Sequence, residues 1–204
     1  MVQELGYLKE TPSQTAGPYV HIGLTPNFCD ITGVYETDLG TEMVNDKTVG
    51  ERITVTGRIF DGAGAIVRDA VVEIWQADSE GLYNSPSEMR GAADPNFTGW
   101  GRCATRTEDG VYVFETIKPG RVPYKDGRRM APHISFWIVA RGINIGLHTR
   151  MYFPEETEAN KADPLLLRIE HRERVVTVIA ARDGSTYTFD IRLQGDQETV
   201  FLDI

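Results

Sequence analysis

Short runs of alternating apolar and polar residues, separated by turn residues, constrain the fold of this chain most. In the run RITVTGRIF (residues 52–60), Ile53, Val55 and Ile59 share one face and polar side chains share the other. This alternation predicts a half-buried β-strand, because successive side chains of a strand point to opposite faces. The DGAG that follows predicts a hairpin-type turn.

Further runs of the same kind follow along the chain. VVEIWQA is nearly continuous and rich in β-branched residues, which is typical of a central strand. VYVFETI, HISFWIVA and TVFLDI predict further strands, and VVTVIAARDGSTYTFDIRLQG predicts a hairpin around Asp183-Gly184. The best helix is DPLLLRIEH, with Asp163 as N-cap. Many short strands and little helix predict an all-β fold, an antiparallel β-sandwich or barrel.

The first 50 residues show no sustained period and are rich in Thr, Pro, Gly and Asn. We therefore predict two parts, an irregular N-terminal arm (residues 1–50) and a β-sandwich domain with long loops (residues 51–204). A long structureless arm on a compact domain usually has something to lie on, such as another subunit or a site.

Charge and composition exclude several classes of function. The 204 residues carry a formal net charge of −9, which disfavours binding to a nucleic-acid phosphate backbone. No apolar run approaches the length of a membrane span, and the N-terminus has no signal-peptide pattern. Cys29 and Cys103 have no metal or redox spacing, so we expect two free thiols in a cytoplasmic protein.

The run APHISFWIVARGINIGLHTRMYF (residues 131–153) raises the question of a metal site. His133 and Ser135 point to the same face of their strand, at the spacing by which a His-x-His pair can hold one metal. One histidine and one serine are too few ligands for zinc or iron. The residues alone therefore favour a hydrogen-bonded structural role for His133, and equally for His21 and His148.

Arg141 ends the same apolar run, where a guanidinium suits bidentate capture of a carboxylate or a sulfonate. The alternative, which the residues alone favour, is an ion pair with one of the 30 acidic residues. The arm segment TPSQTAGPYVH holds Thr15, Gly17, Pro18 and Tyr19. Pro18 fixes the backbone there, so the segment could line a pocket or form a turn that leads into a strand.

Several segments together resemble the intradiol dioxygenases, which cleave aromatic rings in bacterial catabolism. They are ETPSQTAGPYVHIGL, EIWQAD, DPNFTGWGR, TIKPG, residues 131–153, and FDIRLQGDQETVFLDI. The resemblance runs almost end to end and is specific to the alpha chain of the two-chain members. It implies a β-sandwich fold and a partner, the homologous beta chain, in a higher oligomer of alpha–beta units.

The resemblance also identifies which positions would hold iron. In the beta chain two tyrosines and two histidines bind a non-haem Fe(III). In this sequence those positions fall on Tyr83, Val122, His133 and Ser135. Two of the four have lost their donors, so we expect iron only in the partner. Tyr124 matches the second tyrosine only with a shift against the KPG motif.

The same resemblance places Thr15, Gly17, Pro18, Tyr19 and Arg141 at the border of the partner's iron pocket. It implies cleavage of a small anionic catechol by O₂, between the two hydroxyl carbons. The alpha chain would orient the substrate and exclude water. The alternatives are a metal-free β-sandwich scaffold, an enzyme for another anionic catechol such as a sulfocatechol, and a self-sufficient enzyme, which the missing ligands disfavour.

Overall fold

The computed structural model describes residues 14–17 and 19–203, and most of its regular structure is β-strand. The nine strands are β1 (Arg52–Phe60), β2 (Val71–Trp75), β3 (Trp100–Ala104), β4 (Val111–Ile117), β5 (His133–Val139), β6 (Leu147–Tyr152), β7 (Ala181–Asp183), β8 (Thr186–Thr188) and β9 (Ile191–Arg192). They form two sheets. The all-β sandwich expected from the alternating pattern is confirmed.

The first sheet is built around β1. Strand β4 pairs with it antiparallel on one side, and β8 and β9 pair with it on the other. The predicted alternation of β1 is observed, since Ile53, Val55 and Ile59 are buried. One detail of the expected antiparallel topology is wrong, because β8 and β9 run parallel to β1.

The second sheet is antiparallel, in the order β3-β2-β5-β6. Strand β2 lies between β3 and β5, as its continuous apolar run predicted. In β5 the side chains of Ile134, Phe136 and Ile138 face the core, while Ser135 and Trp137 are half-buried on the other face. His133 shares the parity of Ser135 and lies at the start of the strand.

Aromatic side chains from both sheets interlock in the core. The ring of Phe136, from the second sheet, meets the ring of Tyr112 at 6.0 Å and that of Phe189 at 5.1 Å, both edge to face. Tyr112 donates its hydroxyl hydrogen to the carbonyl of Phe189. Buried edge-to-face pairs are favourable beyond the area they bury, so Phe136 is a principal link between the sheets.

Three sequence expectations about local structure are corrected. The segment after Asp163 forms only a 3-10 helix, Leu166–Arg168, although the Asp163 carboxylate accepts the backbone N–H of Leu165 and Leu166 at 2.8 and 2.9 Å as a cap would. The same carboxylate also accepts a hydrogen bond from the Ala131 N–H at 2.8 Å. Asp163 therefore links the start of the 3-10 helix to the segment that precedes β5.

The hairpin around Asp183-Gly184 is present, but part of its expected first arm is a 3-10 helix, Arg172–Val178. The terminal TVFLDI forms a single bridge from Leu202 to His148 instead of a strand. Short runs of β-branched residues form strands only where the edge of another strand is available to pair with them. Tertiary packing therefore overrides the local preference of these two segments for β-structure.

The described part of the arm contains helix α1 (Val20–Leu24) and a 3-10 helix, Asn27–Cys29. Helix α2 (Thr157–Ala162) follows β6. None of the helices within residues 19–203 has the length and apolar character of a membrane span. Cys29 and Cys103 are free, and burial raises the pKa of the Cys103 thiol to about 12.

Candidate functional site

The arm is fastened to the turn that follows β5. Thr15 Oγ1 accepts a hydrogen bond from the Gly142 N–H at 2.8 Å and donates to the Ile143 carbonyl at 3.1 Å. The Ala16 N–H donates to the same carbonyl at 3.2 Å. Gly142 has a φ of +87°, which L side chains rarely adopt, so this turn depends on glycine. Thr15 and Arg141 are therefore brought together, although 125 residues of sequence lie between them.

Arg141 presents its guanidinium to a wide surface groove. Its side chain is 64% exposed, and its Nη2 lies 3.0 Å from Oδ2 of Asp69. The groove, of about 1010 Å³, is also lined by His21 and Asp69. The ion pair that the residues alone favoured is thus present, and the exposed side of the guanidinium leaves room for a second anion.

Asp69 was not identified from the sequence, although the sheet register would have found it. Val71 pairs with Val139 across β2 and β5. Extending that antiparallel register by two residues brings Asp69 opposite Arg141. The spacing is visible in the sequence only after the two strands are known to pair.

The rest of the predicted arm site lies next to this contact in the chain. Tyr19 is 76% exposed at the N-terminal end of α1. A Cβ added at Gly17 would meet nothing within 4 Å. Pro18 lies outside the described residues. The structure therefore leaves the surface of Gly17 and Tyr19 open, and the pocket-lining role of these residues stays a prediction.

At the other end of β5, His133 is buried. Its Nδ1 lies 2.8 Å from the Ala131 carbonyl, and its Nε2 has no hydrogen-bond partner among the described residues. Burial lowers the pKa of His133 to about 3, and the charge of Arg150 acts in the same direction. The imidazole is therefore neutral at physiological pH.

The other three predicted ligand positions carry side chains in structural roles. Val122 is 1% exposed and packs in an apolar cluster with Ala77 and Met130. Ser135 lies on β5 directly opposite Arg150. Tyr83 stacks on Trp75 with ring centroids 5.8 Å apart and 3° between the planes, and burial raises the pKa of its hydroxyl, which stays protonated.

These residues do not fit an iron ion. A valine offers no donor and a serine hydroxyl is a poor ligand for iron. The positive charge of Arg150 acts on both His133 and Tyr83 and lowers the pKa of each. Across the described ranges there is no group of three or more His, Cys, Asp or Glu side chains that could hold a metal. Tyr124 offers no substitute, since its hydroxyl accepts a hydrogen bond from Arg168 at 3.0 Å.

The depressed pKa of His133 predicts a loss of stability in acid. The unfolded histidine takes up a proton below about pH 6.5, whereas the folded one stays neutral down to about pH 3. The unfolded state therefore binds more protons in that window, so stability falls as the pH falls from about 6.5 to about 3.

We expect this group to remove about 2 kcal/mol of unfolding free energy between pH 7 and pH 5. Urea unfolding of the wild-type chain and of His133→Gln at both pH values measures it. The variant should lose less stability than the wild type over that step. Equal losses in the two proteins would show that His133 is not the titrating group.

Comparison with known proteins supports one family throughout. Residues 24–195 match the Dioxygenase family profile. The alpha chain of protocatechuate 3,4-dioxygenase from Pseudomonas putida is 45% identical over 96% of this chain and 97% of its own length. The beta chain from Burkholderia cepacia is 41% identical over 82% of this chain and 75% of its own.

The fold is similar to that of a solved dioxygenase domain from Streptomyces sp. SirexAA-E. That domain is part of a fusion between a dioxygenase and a carbohydrate-binding protein. The TM-score is 0.54 and the identity 26%, over 83% of this chain and 96% of that domain. Sequence and structure comparisons thus agree with the resemblance found in the segments. The chain belongs to the intradiol dioxygenase family.

Proposed function

We propose that this chain is the alpha subunit of a heteromeric protocatechuate 3,4-dioxygenase, which cleaves protocatechuate with O₂ to 3-carboxy-cis,cis-muconate in the beta-ketoadipate route. A homologous beta chain binds the Fe(III), and this chain completes the substrate pocket of that site. The similarity to alpha chains over nearly the whole length supports the assignment.

One geometric observation carries the proposal. The exposed guanidinium of Arg141 and the vestigial position of His133 lie at opposite ends of β5. Arg141 lies eight positions after His133, which is roughly 26 Å along an extended strand at about 3.3 Å per residue. Arg141 is therefore too far away to orient a substrate at His133 of its own chain, which supports a reacting site on another chain.

Exposed apolar side chains of the arm support the partner. Within residues 14–17 and 19–50, seven large apolar side chains are more than 40% exposed: Tyr19, Phe28, Ile31, Val34, Tyr35, Leu39 and Val49. An apolar concentration of this kind on a surface is typical of an interaction site. We propose that the arm (residues 1–50) packs on the beta chain while residues 51–204 form the sandwich domain.

In the complex, the chain's own residues would bind and orient the substrate and exclude water. The carboxylate of protocatechuate, once removed from water, needs a charged hydrogen-bond donor. Arg141 supplies that donor, and Thr15 fixes the turn that carries it. Gly17, Pro18 and Tyr19 would close the pocket from the arm side.

The position of Arg141 does not by itself choose among ring substituents, because a sulfonate accepts the same hydrogen bonds. The identity to protocatechuate enzymes favours the carboxylate. A location in the cytoplasm belongs to the same proposal, and two free thiols support it because such thiols are typical of reducing compartments.

Assembly with a beta chain tests the assignment. Co-expression of this chain with a homologous beta chain, of which only one is tagged, should give both chains in one peak after affinity and size-exclusion steps. That complex should consume O₂ with protocatechuate. If the untagged chain is lost at the affinity step, the chain is a scaffold protein with the same fold and not a dioxygenase subunit.

A further inference from the structure

A second cavity lies on the side of the domain that carries the vestigial ligand positions. Its volume is about 630 Å³, within the range of small-molecule sites. It lies between the loop after residue 122, strand β6, the 165–174 segment and the C-terminal residues 200–203. Neither the arm nor Arg141 takes part in it.

The lining of this cavity is basic, although the chain as a whole carries a net charge of −9. Its cations are Lys125, Arg150, Arg168 and Arg174. Arg174 is neutralised by Glu198 at 3.0 Å. Within the described ranges the other three have no carboxylate within ion-pair distance, and two acidic side chains, Glu170 and Asp203, also line the cavity.

Neutral partners hold these cations in place. Arg168 Nη1 donates to the Tyr124 hydroxyl at 3.0 Å, and Lys125 Nζ lies 5.6 Å from the centre of the same ring. Arg150 Nη1 donates to the sulfur of Met130 at 3.3 Å. All three positive charges therefore line one cavity without a carboxylate partner.

Arg150 carries the clearest sign of a missing partner. Its Nε is buried and has no hydrogen-bond partner among the residues described. Nε2 of His133 is likewise buried and without a hydrogen-bond partner among those residues. Leaving a charged donor buried and unpaired is unfavourable. The rest of the lining includes apolar side chains, those of Leu165, Ile169, Val200 and Leu202.

We propose that this cavity is a binding site for a small organic carboxylate with an apolar body. The carboxylate would accept hydrogen bonds from Arg150 and Arg168, and the body would lie against the apolar wall. The proposal does not depend on the assignment as a dioxygenase subunit, since the cavity contains neither iron ligands nor the Arg141 groove.

Calorimetric titration of the full-length chain, purified without a partner, tests this site. The probe is 4-hydroxybenzoate, which lacks the second hydroxyl that ring cleavage needs. We expect saturable binding, weakened about tenfold or more by Arg150→Gln and by Arg168→Gln. The exposed pair of Arg106 with Asp109 lies elsewhere, so Arg106→Gln is the matched control and should bind as the wild type does.

Two further ligands define the chemistry. Neutral 4-hydroxybenzamide should bind about tenfold more weakly or worse, because it cannot neutralise the arginines. Inorganic sulfate should not displace the probe at equal concentration. Equal binding of the amide, displacement by sulfate, loss of binding in Arg141→Ala, or full affinity in both glutamine variants would each overturn the proposal.

Thermal unfolding separates ligand binding from damage to the fold. Arg150→Gln should still unfold in one cooperative step, and the probe should raise the Tm of the wild type but not of the variant. In the complex with a beta chain, the probe should bind at two sites per pair, one of them absent from Arg150→Gln. A single site per pair that this variant leaves intact would contradict the proposal.

Discussion

Replacing Arg141 by alanine in the complex with a beta chain should raise KM for protocatechuate about tenfold or more. The variant loses the charged donor proposed for the substrate's carboxylate. Catechol has no such group, so its KM should stay within about twofold of the wild-type value. Steady-state O₂ uptake with both substrates measures the difference.

The Asp69–Arg141 ion pair provides the matched control. If Arg141 served only that pair, Asp69→Asn would reproduce the effect of Arg141→Ala. We expect instead that Asp69→Asn leaves KM for protocatechuate unchanged or lowers it, because the guanidinium loses a competing anion. An equal increase in KM for both catechols in Arg141→Ala would also contradict a role in binding the substituent.

Replacing Phe136 by alanine should lower the free energy of unfolding by about 3–5 kcal/mol. Its ring is 1% exposed and contacts Tyr112 and Phe189 across the two sheets. Truncation leaves a cavity that the surrounding strands can fill only in part. Urea unfolding of the chain, monitored by circular dichroism, gives the value.

Val113→Ala is the comparison for that variant. Val113 lies on β4 beside Tyr112, but it is 40% exposed on the outer face, so the substitution should change stability by less than about 1 kcal/mol. A similarly small effect at Phe136 would show that the two sheets are not held together by this aromatic cluster.

Much of the fold could be predicted because periodicity and turns are local signals. The alternation in β1 and the turn at Asp61–Gly64 need no knowledge of the rest of the chain. The parallel pairing of β8 with β1 could not be predicted in that way, since it depends on how the chain returns to the sheet. The 3-10 segment Arg172–Val178 has the composition of a strand but packs instead against β6.

The residues of the candidate site also fall into two groups, those that residue type alone identifies and those that only the fold identifies. The residue types of Ser135 and Val122 alone show that neither is a good iron ligand. The roles of Asp69 and Arg150 could be recognised only from the strand register. Asp69 lies opposite Arg141, and Arg150 lies opposite Ser135. The resemblance to intradiol dioxygenases named Thr15 and Arg141, but only the fold shows that they meet.

The distribution of iron tests the central claim, that this chain completes a site whose metal belongs to its partner. The purified chain and its complex with a beta chain can each be analysed for iron and for O₂ uptake with protocatechuate. We predict negligible iron and no uptake for the chain alone, and one Fe(III) per alpha–beta pair with full uptake for the complex. Stoichiometric iron and full activity in the isolated chain would contradict the account.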